Sequence, residues 1–304
     1  MTDARQEPAD VAFADIESAL AVRSDDHRAV AAPPRALTAT IVTVGPDDRV
    51  EGAAAPLQKL AESGGVRAIV IAHGSSPETR ARVGASFVAL GGVPPAFVDN
   101  AVAAIRLSSL PTLVWWRGGP IDVLDRVVAL ADRVVLDVET PDDLWAHVVT
   151  ILDRTAFSDL RWTRLTRWRA LMAQFFDMPS IASAASSFTR LRVEGADPLT
   201  GRLFAAWLKT SLKWEDSVAI EIAESGRDAP IETVTLGGAG IELRLCLAGS
   251  RRCVETSATA PGQPATSGVV SLAGQTLEGL LSEELRIRSR DAAFELALRA
   301  CVRS

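Results

Sequence analysis

The chain is poor in several residue types, and each shortage narrows what the protein can be. Its 304 residues include three cysteines and three histidines. No two cysteines are spaced as Cys-x-x-Cys and the histidines are isolated, so no zinc-binding pattern is present. The sequence predicts neither a metal centre nor a cofactor site, and leaves open only a metal site built from residues far apart in the chain.

Long apolar runs and excess positive charge are also missing. No hydrophobic run approaches the ~20 residues that span a bilayer. The N-terminal MTDARQEPADVAF carries acidic residues where a secretory signal has an apolar core. The formal net charge is −6, whereas general nucleic-acid binding needs a basic surface. We therefore expect a cytoplasmic protein that binds neither membranes nor nucleic acid.

Tyrosine is absent and lysine is rare, with 29 arginines against three lysines. A GC-rich genome explains this bias, and so does selection for bidentate contacts. Only local clustering of arginine is therefore informative. With 48% hydrophobic and 23% charged residues, the chain has the composition of a globular protein.

Residues 36–180 alternate between strand and helix patterns, which predicts an α/β domain with a mostly parallel sheet. The predicted strands are 36–44, 66–72, 110–116 and 133–138, and the predicted helices are 51–63, 96–107, 121–131 and one capped by Thr140-Pro141-Asp142-Asp143. Residues 1–35 precede this domain, with a predicted short helix at 8–21 and a linker after it.

A stretch of small and polar residues, IASAASS, predicts a domain boundary near 178–186. Beyond it, residues 187–304 favour a smaller α+β domain. Its predicted elements are a helix opened by Asp197-Pro198, strands near 218–224, 231–237, 241–248 and 252–259, and helices at 276–286 and 290–302. LGGAG at 236–240 predicts a hairpin turn.

Catalytic motifs are missing: the sequence has no GxSxG, no P-loop and no GxGxxG after a strand, so we predict that the protein is not an enzyme. HGSSPETR at 73–80 follows a predicted strand and allows two interpretations. His73 and Ser75 could hold a phosphate at the sheet edge. Alternatively, Ser76 caps a helix that has Pro77 at its first position and Glu78 in its first turn.

LPTLVWW at 110–116 predicts a buried strand that ends at Arg117. Trp115 and Trp116 are therefore expected to be structural anchors in the core. Arg117 follows the carboxyl end of that strand, where it would either border a ligand site with His73 or face a partner protein.

The segment DLRWTRLTRWRALMAQFFD, residues 159–177, combines tryptophan and arginine. A helix starting with Thr166 as N-cap turns Trp168, Leu171 and Phe175 inward. We therefore expect Trp162 and Trp168 to be structural anchors.

The arginines of this segment are expected to stay outside. Arg167 and Arg169 would lie in the first turn of the helix, where the dipole favours anions. Two interpretations follow. Arg164, Arg167 and Arg169 present charge to an acidic partner, since tryptophan and arginine often anchor interfaces. Alternatively, the arginines of the whole segment, Arg161 included, pair with local carboxylates such as Asp159.

Two of the cysteines raise the possibility of a redox pair. In IELRLCLAGSRRCVETSA, a two-residue turn at Gly249-Ser250 places Cys246 opposite Cys253. Such a pair lies within disulfide range. The pair is either a redox switch or two reduced cysteines, and Cys301 is expected in the core.

These stretches together resemble the OpcA family of glucose-6-phosphate dehydrogenase assembly proteins. The resemblance rests on RALTATIVTVG, LPTLVWWRG, DLRWTRLTRWRALMAQFFD, LFAAWLKTSLKW and EELRIRSRDAAFELAL, which occur in the family's order. It implies a non-catalytic partner that binds the dehydrogenase and promotes its active oligomer. One departure is Arg167, where the family pattern has proline, which leaves the helix start less rigidly fixed. The alternative is an enzyme or sensor that binds a sugar phosphate or nucleotide at the carboxyl edge of the sheet.

Overall fold

The computed structural model describes residues 9–11, 36–74, 80–84, 86–214, 218–226, 228–272, 276–287 and 289–303. The chain divides into two compact units. The first comprises Met1–Ser158 and Leu277–Arg290, and the second comprises Asp159–Thr276 and Asp291–Ser304.

The strands are numbered along the chain. They are β1 (Ala9–Val11), β2 (Ala39–Pro46), β3 (Val66–His73), β4 (Arg80–Val83), β5 (Phe87–Val93), β6 (Thr112–Trp116), β7 (Arg133–Leu136), β8 (Ala156–Asp159), β9 (Arg190–Gly195), β10 (Ala219–Glu224), β11 (Thr233–Gly238), β12 (Ile241–Leu247), β13 (Cys253–Thr259) and β14 (Thr266–Ser271).

The α-helices are numbered in the same way. They are α1 (Asp47–Val50), α2 (Ala54–Gly64), α3 (Val98–Ile105), α4 (Ile121–Val128), α5 (Asp142–Thr150), α6 (Leu160–Arg164), α7 (Thr166–Phe175), α8 (Pro179–Ser183), α9 (Pro198–Ser211), α10 (Leu277–Arg286) and α11 (Ala292–Arg303).

The sheet of the first unit has the order β1-β4-β5-β3-β2-β6-β7-β8. The pairs β5–β3, β3–β2, β2–β6 and β6–β7 are parallel, whereas β1–β4 and β4–β5 are antiparallel. The central strands are largely apolar because both faces are covered, and Ile41, Val42 and Ile69 are fully buried. The prediction of a mostly parallel sheet is confirmed.

A buried ion pair ties α10 to the sheet of the first unit. Arg133 on β7 and Glu284 on α10 are 4% and 1% exposed, and Arg133 Nε lies 2.7 Å from Glu284 Oε2. The other oxygen of Glu284 accepts a hydrogen bond from Ser158 Oγ at 2.9 Å. Helix α10 also packs on α2. A segment close to the carboxyl end of the chain therefore completes the first unit.

The second unit is built on a sheet of order β10-β9-β11-β12-β13-β14. Only β9–β10 is parallel among the described pairs, and the other neighbours are antiparallel. Helix α9 packs on β9 and β10, and α11 packs along α9. Asp197 caps α9 by accepting from Leu199 N, as the Asp197-Pro198 pattern predicts. The predicted LGGAG turn is confirmed, with positive φ at Ala239 and Gly240.

Three local predictions in the first unit were wrong. A helix was predicted at 8–21, but residues 9–11 form a strand that pairs with β4. Residues 12–35 lie outside the described part of the chain. Arg80–Val83 is a strand, so no helix continues from Ser76; residues 75–79 are likewise outside it. Both segments form the antiparallel edge of the sheet, and this pairing cannot be predicted from local capping patterns.

The third wrong prediction concerns Thr140. It does not cap α5, which follows Pro141 without a side-chain cap.

The division between the units differs from the boundary expected near 178–186. It falls between Ser158 and Asp159, and Leu277–Arg290 returns to the first unit. The reason is that α6 and α7 pack with elements of the second unit, α6 on α9 and α7 on β12. The small-residue stretch follows α8 inside that unit.

Candidate functional site

The carboxyl edge of the parallel sheet is the first candidate site. The order β5-β3-β2-β6-β7 is that of dinucleotide-binding sheets, in which ligands bind where the strand order reverses. Here the reversal lies between the ends of β2 and β6. The described residues that follow these strands are Gly45-Pro46-Asp47 after Val44 and Arg117-Gly118-Gly119 after Trp116.

The turn after β2 is acidic where a phosphate would bind. A dinucleotide site needs a glycine-rich turn that leads into a helix N-terminus. In this chain α1 begins with Asp47 and Asp48. A Cβ atom added to Gly74 would lie 2.2 Å from Asp47 Oδ2, so the Asp47 carboxylate covers the end of β3. Two carboxylates at this position repel a pyrophosphate.

His73, proposed as a phosphate ligand, is packed beneath the turn that follows β6. It is 6% exposed, and its Nε2 lies 3.1 Å from the Gly118 carbonyl oxygen. Because a carbonyl only accepts, Nε2 donates. Gly119 has φ 136°, and a Cβ there would lie 2.5 Å from His73 Nε2. His73 therefore supports this turn, and Ser75 is outside the described residues.

Arg117 is engaged within the first unit. Its Nε lies 3.3 Å from Asp137 Oδ2, and its guanidinium carbon lies 4.8 Å from the centroid of the Trp115 ring. Trp115 donates its indole N–H to the same carboxylate at 3.2 Å. Trp115 and Trp116 are both buried, as expected of structural anchors.

The tryptophan–arginine segment, Asp159–Asp177, is the second candidate site and lies in the second unit. It begins with the short helix α6, whose N-cap Asp159 accepts from Arg161 N at 2.8 Å. Thr166 is not an N-cap: Leu165 precedes α7 with helical dihedral angles, so α6 runs almost directly into α7. The prediction failed because the cap lies one short helix earlier.

Trp162 is the centre of this segment. It is 2% exposed, and its Nε1 donates to Asp291 Oδ2 at 2.7 Å. The ring packs at 5.6 Å from Phe294. The guanidinium carbon of Arg169 lies 3.6 Å from the Trp162 ring centroid, a close cation–π contact. Arg169, expected outside, is instead half-buried against the tryptophan.

The inward face of α7 is confirmed. Trp168 and Leu171 are each 5% exposed. Arg161 supplies the local pairing that the second interpretation expected, since its Nε lies 3.0 Å from Asp197 Oδ2 and its NH1 3.7 Å from Asp159 Oδ1. Asp197 also caps α9, so this carboxylate joins two helices of the second unit.

Arg164 and Arg167 differ from their neighbours. Arg167 is exposed and Arg164 is half-buried. Within the described part of the chain, neither side chain forms a hydrogen bond or an ion pair. Of the arginines proposed for a partner interface, these two present uncompensated charge.

The register of β12 and β13 overturns the proposed cysteine pair. Cys246 lies opposite Glu255, and Cys253 lies opposite Ser271 on β14. The loop is longer than the predicted two-residue turn, because Ala248 N donates to Cys253 O and Arg251 adopts φ 56°. All three cysteines are free, and Cys301 is buried as expected.

Sequence reasoning missed Asp291 and Arg251. Asp291 precedes α11 and accepts from Ala293 N and Phe294 N, which is the pattern of an N-cap. An aspartate before an apolar helix is a readable signal. Nothing in the sequence signals the left-handed backbone of Arg251.

Neither a metal site nor a membrane span emerges from the described residues. They contain no group of three His, Cys, Asp or Glu side chains arranged to hold a metal ion. Nor do they contain a helix long and apolar enough to cross a bilayer.

Comparison with known proteins finds a family match for a range that includes most of the second unit. Residues 155–298 match the family OpcA_G6PD_C, which is described as the C-terminal domain of a glucose-6-phosphate dehydrogenase subunit. This range contains the tryptophan–arginine segment and Asp291. This part of the chain matches the OpcA family model. The resemblance seen in the sequence is thereby confirmed.

Two relatives carry the name OxPP cycle protein OpcA. The protein from Nostoc punctiforme is 26% identical over 257 residues, covering 70% of this chain and 55% of the relative. The protein from Synechocystis is 24% identical over 139 residues, covering 42% of this chain and 29% of the relative. The matches thus span about half or less of the length of these OpcA relatives.

Solved structures show only a distant likeness. A levoglucosan dehydrogenase in complex with NADH and L-sorbose superposes with a TM-score of 0.45 at 10% identity, covering 80% of this chain and 82% of that one. A score below 0.5 is too low to assign a common fold.

Proposed function

We propose that this protein is a non-catalytic accessory protein that binds glucose-6-phosphate dehydrogenase and promotes its oligomeric assembly and activity, in the oxidative pentose phosphate pathway. The observation that carries the proposal is the match of residues 155–298 to a domain family named for the dehydrogenase. The names of the two relatives support the same pathway.

The carboxyl edge of the sheet supports a non-catalytic role. The turn after β2 carries Asp47 and Asp48 in place of a glycine-rich phosphate loop. His73 and Arg117 are engaged by Gly118 and Asp137. Sheets with this strand order commonly bind a cofactor phosphate at the turn after the first central strand. In this chain that turn carries carboxylates instead.

The proposed contact with the dehydrogenase uses Arg164 and Arg167. Arg117 and Arg169 are stacked on tryptophans within their own units, so they contribute to folding first. Arginine and tryptophan are enriched among the residues that contribute most binding energy at protein interfaces. An acidic surface on the dehydrogenase is the complementary partner.

The test mixes the purified chain with its cognate dehydrogenase and measures complex mass and dehydrogenase activity together. We expect a complex of defined stoichiometry and a change in the kinetic constants or oligomeric state. The substitution Arg167→Ala should weaken the complex, most visibly at low salt, where surface charges are least screened. Arg303→Ala, which removes an exposed arginine from α11, is the matched control. Absence of a complex with the unaltered chain would refute the proposal.

The alternative is a sugar-phosphate- or nucleotide-binding enzyme or sensor, which the strand order of the first unit favours. Thermal shift with NADP, glucose 6-phosphate and common nucleotides separates the two functions. A clear stabilisation in the absence of dehydrogenase would support the alternative. We expect none, because the edge is acidic.

We also propose an architecture of two domains, an α/β domain and a smaller α+β domain. The division of the chain into two compact units supports it, with Leu277–Arg290 belonging to the first unit. We further propose that the protein acts in the cytoplasm, where its dehydrogenase partner would be found.

A further inference from the structure

An apolar pocket lies in the second unit beside the tryptophan–arginine segment. Its apolar walls are formed by Leu165, Trp168, Ile231 and Leu247. Two arginines, Arg164 and Arg251, also line it. Its volume is about 180 Å³. Nothing in the proposed function yet assigns it a role.

The size of the pocket limits what it can hold. Small-molecule and cofactor sites usually enclose ~300–1,000 Å³. A cavity of ~150 Å³ lined by apolar side chains accommodates benzene. The pocket therefore suits one apolar or aromatic side chain better than a nucleotide or a sugar phosphate.

The charges beside the pocket favour an acidic occupant. Arg164 and Arg251 form no hydrogen bond or ion pair through their side chains with any described residue, while Asp228 supplies a single carboxylate among the lining residues. The two arginines and one aspartate that line the pocket therefore carry a net charge of +1. An arginine next to a desolvated apolar surface pairs favourably with a carboxylate that arrives with its ligand.

The backbone of Arg251 is an independent observation. Its φ of 56° is in the left-handed region, and its N–H donates to Ala248 O at 2.8 Å to close the loop between β12 and β13. Glycine or asparagine suits that conformation better than arginine does. The unfavourable backbone conformation of Arg251 places its side chain next to a pocket, where it has no partner among the described residues. Backbone strain of this kind is typical of binding sites.

We propose that this pocket receives one apolar side chain from an acidic segment of the dehydrogenase, with a neighbouring carboxylate of that segment bound between Arg164 and Arg251. The inference rests on the proposed function and specifies the chemistry of the partner. Under this proposal Arg251 contacts the dehydrogenase together with Arg164, although its loop is distant in sequence from the tryptophan–arginine segment.

The test titrates the dehydrogenase with the full chain and with three variants, measuring dissociation constants and melting temperatures. Arg164→Ala and Arg251→Gly should each weaken binding about tenfold or more, since each leaves a carboxylate unpaired at the interface. Arg251→Gly should not lower the melting temperature, because glycine relieves the left-handed backbone. Arg252→Ala is the matched control, an exposed arginine of the same loop that does not line the pocket, and should change binding less than twofold.

The outcomes separate the inference from the proposed function. If the unaltered chain binds and both pocket variants bind equally well, the pocket is not the contact, although the proposed function stands. Equal loss in Arg252→Ala would also refute the pocket and indicate a diffuse effect of charge. If the unaltered chain does not bind the dehydrogenase, both proposals fail. As a direct probe, 3-phenylpropionate combines one ring with a carboxylate and should compete with the dehydrogenase for the unaltered chain.

Discussion

Asp291 accepts the indole N–H of Trp162 through Oδ2 at 2.7 Å and caps helix α11 through Oδ1. One carboxylate thus joins the tryptophan–arginine segment to helix α11. Phe294, one turn into that helix, completes the contact by packing on the Trp162 ring. Trp162 is therefore a structural residue whose position fixes the arginines around it.

The hydrogen bond of Trp162 can be isolated by Trp162→Phe. Phenylalanine keeps most of the packing but leaves Asp291 Oδ2 without its donor, so we expect the free energy of unfolding to fall by about 1–3 kcal/mol. Denaturant unfolding measures this. Trp207→Phe is the control, because the Trp207 indole N–H has no hydrogen bond within the described residues. Equal losses in both variants would mean that packing, and not the hydrogen bond, decides.

Arg169 and Arg167 should respond differently to alanine. Arg169 stacks on Trp162 at 3.6 Å, so we expect Arg169→Ala to destabilise the chain by about 0.5–2 kcal/mol. Arg167 is exposed, and Arg167→Ala should change stability by no more than about 0.5 kcal/mol. Thermal and denaturant unfolding of the two variants provide the comparison. A larger loss in Arg167→Ala would contradict the assignment of roles.

The buried pair of Arg133 and Glu284 should be costly to break from one side. Glu284→Ala leaves a buried guanidinium uncompensated, so we expect a loss of about 3–5 kcal/mol. Glu278→Ala removes, on the same helix, a half-buried carboxylate that pairs with the exposed Lys59, and it should cost no more than about 1 kcal/mol. Denaturant unfolding compares the two.

The double variant Arg133→Met with Glu284→Leu provides the matching check, since an apolar pair of similar volume often replaces a buried ion pair without loss. We expect it to recover most of the stability lost in Glu284→Ala. Continued instability of the double variant would show that the contact needs its charges.

The cysteines should remain reduced under mild oxidation. The observed register makes Cys246 and Cys253 diagonal neighbours, whose Cα atoms in a sheet lie ~7–8 Å apart, at or beyond the limit for a disulfide. Thiol titration of the oxidised, then denatured chain should find three thiols. Loss of two thiols with a bridge between Cys246 and Cys253, identified by peptide mapping, would refute this.

Local sequence determined the central parallel strands of the first unit and the start of α9 in the second. The apolar runs at β2, β3 and β6 specify buried parallel strands because both faces of such a sheet are covered. Asp197-Pro198 determined the start of α9, because a cap and a proline act within one helical turn. The same local reasoning placed Trp168 and Leu171 on the buried face of α7.

The predictions that failed depended on pairing between distant segments. The edge strand at 9–11 exists only because β4 is beside it, and the loop between β12 and β13 sets a register that a two-residue turn would not. A shorter loop fits the sequence equally well, so the register is decided by packing of the whole sheet.

The roles of the arginines were decided by tertiary structure alone. Trp162 finds Asp291 at a separation of 129 residues, and Arg133 finds Glu284 at 151. Arginines of one short segment look alike in sequence, yet Arg161 is paired, Arg169 is stacked and Arg164 stands at a pocket with Arg251. The interactions of a charged side chain depend on the groups that folding brings within a few ångströms of it. Those groups are distant in sequence, so local sequence does not predict them.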